Sequence, residues 1–208
     1  MKHENNIIFT IKVQYYFMEL LNCVKNNDIN AVIKILNSDT ITKEDILKQD
    51  DNGIYPLYIA CMCDYFEICE LLINKLVYLG NLDKNDIFIR IHSECQYCKL
   101  DGFDALFACV WASVDNYKIL HLLMSTYDIT KEDIILREYN NTNILNHIMC
   151  SFNKNYDIIK FLIEKYNITK EDINIKYMYY VIMKKKNNEL LEYLNEKFQI
   201  TMEDWKSS

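Results

Sequence analysis

The residues best suited to chemistry lie in the segment FIRIHSECQYCKL, positions 88–100, where two residues separate His92 from Cys95 and two separate Cys95 from Cys98. Cys-x-x-Cys lets two sulfurs turn onto one metal, which is half of a tetrahedral zinc site, and His92 would supply a third ligand. The sequence has no second Cys-x-x-Cys or Cys-x-x-His at linker distance, so Cys61, Cys63 or Cys109 would have to complete the site from elsewhere. The same pair fits a redox dithiol, and an ordinary exposed loop accounts for the segment without either chemistry. The histidines are His3, His92, His121 and His147, and no partner at a useful spacing marks any of them as a base. There is no Gly-x-Ser-x-Gly, no phosphate-binding glycine loop and no His-Glu-x-x-His. The expectation is a chain that is not an enzyme and takes no cofactor.

The most regularly placed carboxylates belong to a repeated phrase. ITKEDI begins at positions 41, 129 and 168, ITMEDW begins at 200, and a divergent copy, LDKNDI, begins at 82. Successive starts are therefore 41, 47, 39 and 32 residues apart, and periods of this size mean stacked supersecondary units. Thr42, Thr130, Thr169 and Thr201 are good N-caps. Asp45, Asp133, Asp172 and Asp204 follow three residues later and can close a capping box, as Asp83 and Asp86 can in the divergent copy. Capping and the helix dipole explain these acids better than a row of catalytic or metal-binding carboxylates.

Between the phrases each unit has one order: an apolar helix, an Asn/Asp-rich turn, and a second amphipathic helix. The predicted pairs are 14–25 with 29–36, 56–63 with 66–79, 104–113 with 117–127, 142–152 with 156–166, and 177–186 with 189–198. The second helices carry apolar residues at helical spacing, as in Ile68, Leu71 and Leu72, Ile119, Leu122 and Leu123, or Ile158, Phe161 and Leu162. A short helix with one apolar stripe cannot bury it alone, whereas stacked neighbours can. The expected fold is all-α: a helical-repeat solenoid of about five helix-turn-helix units with short capped turns between them. The expected division is an N-terminal extension, 1–13, and one repeat domain, 14–208, with units at about 14–46, 47–87, 88–134, 135–173 and 174–208.

One unit carries a family signature. Asp51-Asn52-Gly53-Ile54-Tyr55-Pro56-Leu57-Tyr58-Ile59-Ala60 resembles the ankyrin phrase Asp-x-x-Gly-x-Thr-Pro-Leu-His-x-Ala. The continuation from Asp64 to Ile73 is similar to the ankyrin second helix, Gly-His-x-Glu-Ile-Val-x-Leu-Leu-Leu. The stretch Asp101–Cys109 echoes the first phrase more weakly, and in the fourth and fifth units the phrase is lost. The added Thr-Lys-Glu-Asp element departs from ordinary ankyrin repeats of about 33 residues. Together with an Ile-, Asn-, Lys- and Tyr-rich composition, it resembles the divergent ankyrin-type proteins of giant DNA viruses. The resemblance implies that Pro56 opens a first helix, that Leu57 and Ala60 face the core, and that the function is non-catalytic binding of a protein partner. It also implies that loop tips and the exposed side of first helices do the binding. The candidates are Tyr58, Phe107 and Trp111 on first helices and Arg90 and Tyr97 in the long connection. A substrate-recruiting adaptor for ubiquitin ligation is a rival within the same family, but it normally needs an extra recruitment box, which the sequence does not show after its last repeat. The zinc or redox protein is the rival of a different class.

Composition limits the partners. The 208 residues include 23 Lys plus Arg and 30 Asp plus Glu, a formal charge of −7. That excess disfavours sequence-independent nucleic-acid binding and docking on anionic lipid. Only three glycines and one proline are present, which fits helices better than turn-rich sheets. There is neither a secretory signal nor an apolar run near the ~20 residues that a membrane-spanning helix needs. An intracellular, cytoplasmic, monomeric protein is expected, in the host cytoplasm if viral. Its cysteines are expected to be thiols, with Cys61, Cys63, Cys69, Cys109 and Cys150 acting as small buried hydrophobes.

Overall fold

The computed structural model describes residues 18–80, 82–91, 103–112, 117–136, 138–139, 142–150 and 157–201. Among these the chain is helical, with a single two-stranded ribbon. It separates into two compact units, Met1–Asp128 and Ile129–Ser208.

In the first unit α1 (18–25) is followed by α2 (Ile29–Leu36), α3 (Lys43–Leu47), α4 (Pro56–Met62) and α5 (Phe66–Leu79). A 3-10 turn (Lys84–Ile87), α6 (Ala105–Ala112) and α7 (Lys118–Thr126) complete it. First helices pack on first helices, α4 against α6, and second on second, α2 against α5 and α5 against α7. Within a repeat, α4 packs on α5 and α6 on α7, while α3 lies on both α4 and α5. Pro56 opens α4 where its missing N–H costs nothing. Leu57, Tyr58, Ile59, Ala60 and Cys61 are all buried, so α4 is enclosed on every side. The helix ends at Met62 and the chain turns away at Asp64, whose backbone is left-handed at φ +57°. The Tyr65 N–H then donates back to the Ala60 carbonyl at 2.9 Å, and α5 can begin.

The second unit contains α8 (Lys131–Ile135), α9 (Ile144–Cys150), α10 (Asp157–Lys165), a 3-10 turn (Lys170–Asp172), α11 (Ile175–Lys185) and α12 (Asn188–Phe198). The same pattern recurs: α9 packs on α10, α11 on α12, and the two first helices α9 and α11 on each other. Ahead of α9, β1 (Glu138–Tyr139) pairs antiparallel with β2 (Thr142–Asn143), Glu138 opposite Asn143 and Tyr139 opposite Thr142. The periodicity predicts a helix from 142. The ribbon occupies that position instead, because the Asn143 side chain accepts the Asn146 N–H at 3.0 Å and makes Asn143 the cap from which α9 starts.

Candidate interaction surface

α4 and α6 are aimed by the residues directly in front of them. Ahead of α4, Asp50 Oδ1 accepts the Asn52 N–H at 3.0 Å and the Ile54 N–H at 2.9 Å. Gly53 closes this turn at φ +76°, a conformation that side chains resist. Gln49 Nε2 ties the turn to the next repeat, donating to the Gly53 carbonyl at 2.8 Å and the Arg90 carbonyl at 2.9 Å. Tyr55 stands where the ankyrin phrase has Thr. It makes no side-chain cap on α4, and its hydroxyl instead donates to the Ile89 carbonyl at 3.3 Å. Farther along, the Ile91 N–H donates to the Phe103 carbonyl at 3.0 Å, so the residues flanking the long connection are pinned together at its base. Asp104 then caps α6, its Oδ1 accepting the Phe107 N–H at 2.9 Å.

The residues expected to bind a partner separate under this geometry. Arg90 is exposed beside the pinned base. Trp111 is 42% exposed near the end of α6, and its ring stands edge-on to Phe103 at 6.0 Å between centroids. Tyr58 and Phe107 belong to the core, at 0% and 2% exposure. Tyr58 packs beside Tyr55 at 6.0 Å and Phe107 beside Phe103 at 5.6 Å. The expectation that these two rings present a surface is corrected: each packs against another aromatic ring inside the layer of first helices, where its apolar area is buried. Tyr97, His92, Cys95 and Cys98 lie outside the described residues.

Among the described residues no group of three or more His, Cys, Asp and Glu is placed to hold a metal. Cys61, Cys69 and Cys109 are buried free thiols, and Cys61 and Cys69 approach to 3.9 Å between sulfurs. Burial pushes the Cys69 and Cys109 thiols well above the usual range, which keeps them protonated and poor as nucleophiles. Cys63 is exposed, contrary to the expectation of a buried residue, because it follows the last turn of α4. His121 is exposed on α7. A surface groove of about 470 Å³ between α2 and α5 is lined by Ile33, Leu36, Leu71 and Tyr78, with Asp39 and Lys75 as its charged members. No helix among the described residues is long and apolar enough to cross a membrane.

The repeated phrase does more than cap. Thr42, Asp83, Thr130 and Thr169 each head a capping box closed by Asp45, Asp86, Asp133 and Asp172. In each unit the lysine of one copy also reaches the closing aspartate of the next. Lys43 Nζ lies 2.8 Å from Asp86 Oδ2, and Lys131 Nζ meets Asp172 Oδ2. The sequence signal for this link is the lysine that follows the cap residue in four of the five copies, since cap chemistry alone gives it no task. A second sequence signal is Asn143-Ile144-Leu145-Asn146, which occupies the Thr-Pro-Leu-His position in the fourth unit.

No curated protein matches the chain. The family model for ankyrin repeats, in three copies, matches residues 20–133, more than half of the chain. Ankyrin repeats are generally modules of protein–protein interaction and typically act as non-catalytic scaffolds. With first helices on first helices, second on second, and a family match that spans α1 to α8, this chain belongs to the ankyrin-repeat family.

Proposed function

We propose that the chain is a non-catalytic module that binds a protein partner through Trp111 on α6, Arg90, and the long connection that contains Tyr97. The observation that carries this reading is Trp111. Trp, Tyr and Arg dominate binding hot spots, and a tryptophan held edge-on by a buried phenylalanine loses little freedom when it is covered. Arg90 adds a bidentate donor whose backbone is already fixed by Gln49.

The test begins with capture of partners by the biotinylated chain, followed by affinity measurement with the purified partner. Trp111→Ala should weaken binding by at least about 2 kcal/mol, roughly thirtyfold, with helicity unchanged. Shortening the connection between Ile91 and Phe103 should do the same without shifting the thermal midpoint, because the neighbouring helices pack on each other directly. Equal affinity in both variants would overturn the reading.

A further inference from the structure

The outward stripe of α11 has an unusual composition. Met178, Val181 and Ile182 face the core, and the opposite side of the helix carries Tyr180, 61% exposed, and Met183, 50% exposed. Solvent-facing stripes of amphipathic helices are ordinarily polar, so two large apolar side chains one turn apart mark an unsatisfied face. The charge there is of one sign. Lys184 is exposed with its Nζ 5.7 Å from the centre of the Tyr180 ring, and Lys186 is exposed one turn past Met183 with its backbone left-handed at φ +54°. From Ile175 to Lys186 the sequence contains no Asp or Glu. Lys25, Lys43, Lys131 and Lys160 each meet a carboxylate, whereas Lys184 and Lys186 make no ion pair among the described residues. In a chain of net charge −7, neither cation is matched by a carboxylate among the described residues, and Lys184 lies over the Tyr180 ring. Glu189, the first acid of α12, is held by Lys160 at 3.0 Å.

We propose that the face of α11 formed by Tyr180, Met183 and Lys184, with Lys186 at its end, docks an acidic peptide segment whose glutamates or aspartates flank an apolar anchor. The anchor covers Tyr180 and Met183, and the flanking carboxylates pair with the two lysines. Charge complementarity selects this occupant: the ammonium groups need anions, and the two apolar side chains beside them need a hydrophobe rather than a hydrated surface. The inference deepens the proposed function by adding a second contact area and its chemistry, and it rests on the reading of the chain as a protein-binding module.

The probe is a fluorescein-labelled peptide with a Leu-Phe pair flanked on both sides by glutamates, titrated against the whole chain by fluorescence anisotropy. Binding should weaken as salt is raised, and it should be absent for the same peptide with glutamines in place of glutamates. Tyr180→Ala and Lys184→Glu should each weaken it by roughly tenfold or more with unchanged circular dichroism, while Tyr78→Ala, at an exposed tyrosine of the other unit, should leave it intact. The assignment is overturned if the acidic peptide does not bind, if the glutamine peptide binds equally, if both α11 variants bind like the parent, if Tyr78→Ala is equally damaging, or if labelled oligothymidylate is preferred. Any of these results with Trp111-dependent partner capture intact removes the α11 assignment alone. Loss of Trp111-dependent capture with the acidic peptide still bound removes the Trp111 surface instead.

Discussion

The threonines of the repeated phrase share the bond to their aspartate but not the geometry of the cap. Thr130 Oγ1 accepts the Asp133 N–H at 3.4 Å and donates to Asp133 Oδ2 at 3.1 Å, so its hydroxyl satisfies a donor that helix geometry would otherwise orphan. At Thr169 the turn is 3-10, and the Asp172 N–H goes to the Thr169 carbonyl at 3.1 Å. The Thr169 hydroxyl donates to Asp172 Oδ2 at 2.9 Å and the carboxylate also takes the Thr169 N–H at 2.7 Å, so the Asp172 N–H, already held by the carbonyl, depends less on the hydroxyl. Thr130→Ala should therefore cost about 1 kcal/mol, within the 0.5–2 range of lost caps, and Thr169→Ala distinctly less. Urea unfolding of the two variants checks the order. A larger loss at Thr169 would mean that the exposed hydroxyl matters more than the orphaned amide.

At the scale of elements, the helices and their order were legible because each carries its own signal: apolar spacing in α5 and α7, Pro56 in α4, and Thr-x-x-Asp before α3 and α8. The predicted span 66–79 coincides with α5, and 29–36 with α2. Features that depend on a distant partner were not legible in the same way. Tyr58 sits at a position that the family phrase leaves polar, and it is core only because α6 packs across α4. Nothing local to Lys43 or Lys131 distinguishes a solvated lysine from one that reaches the next copy. That reach gives the phrase a second task and a pH signature. Burial works to raise the Asp172 carboxyl, but hydrogen bonds from Lys131 and Thr169 outweigh it and hold the group below the usual 3.8. A depressed folded value means that the link stabilises fully above the unfolded value and is lost as pH falls through the folded one. Lys131→Met should cost about 0.2–1 kcal/mol near neutral pH, and the difference from the parent should shrink steadily below pH 4. A cost that persists unchanged into strong acid would show that packing of the lysine stem, rather than its charge, carries the effect.

At the scale of the molecule, stability in the first unit is set by how closely α4 is enclosed. Its neighbours α5 and α6 both press on a helix whose small residue, Ala60, is fully buried beside Tyr58 and Cys61. From Pro56 to Cys61 every residue of α4 is buried, so a side chain added at Ala60 has no exit. Interiors are packed as densely as organic crystals, and extra methylenes force neighbours off their rotamers. Ala60→Leu should cost about 1–3 kcal/mol. Trp111 is placed to report it, because it stands on α6 against Phe103, within the same layer of first helices. With Trp205→Phe removing the second tryptophan, denaturation followed by Trp111 fluorescence should show a lower midpoint for Ala60→Leu than for Ala60. A parallel substitution at Glu70, exposed on α5, should leave that midpoint within about 0.5 kcal/mol of the parent. If Ala60→Leu were tolerated as easily as Glu70→Leu, α4 would have room that its burial denies, and the register that places Pro56, Leu57 and Ala60 at the head of an ankyrin repeat would have to shift.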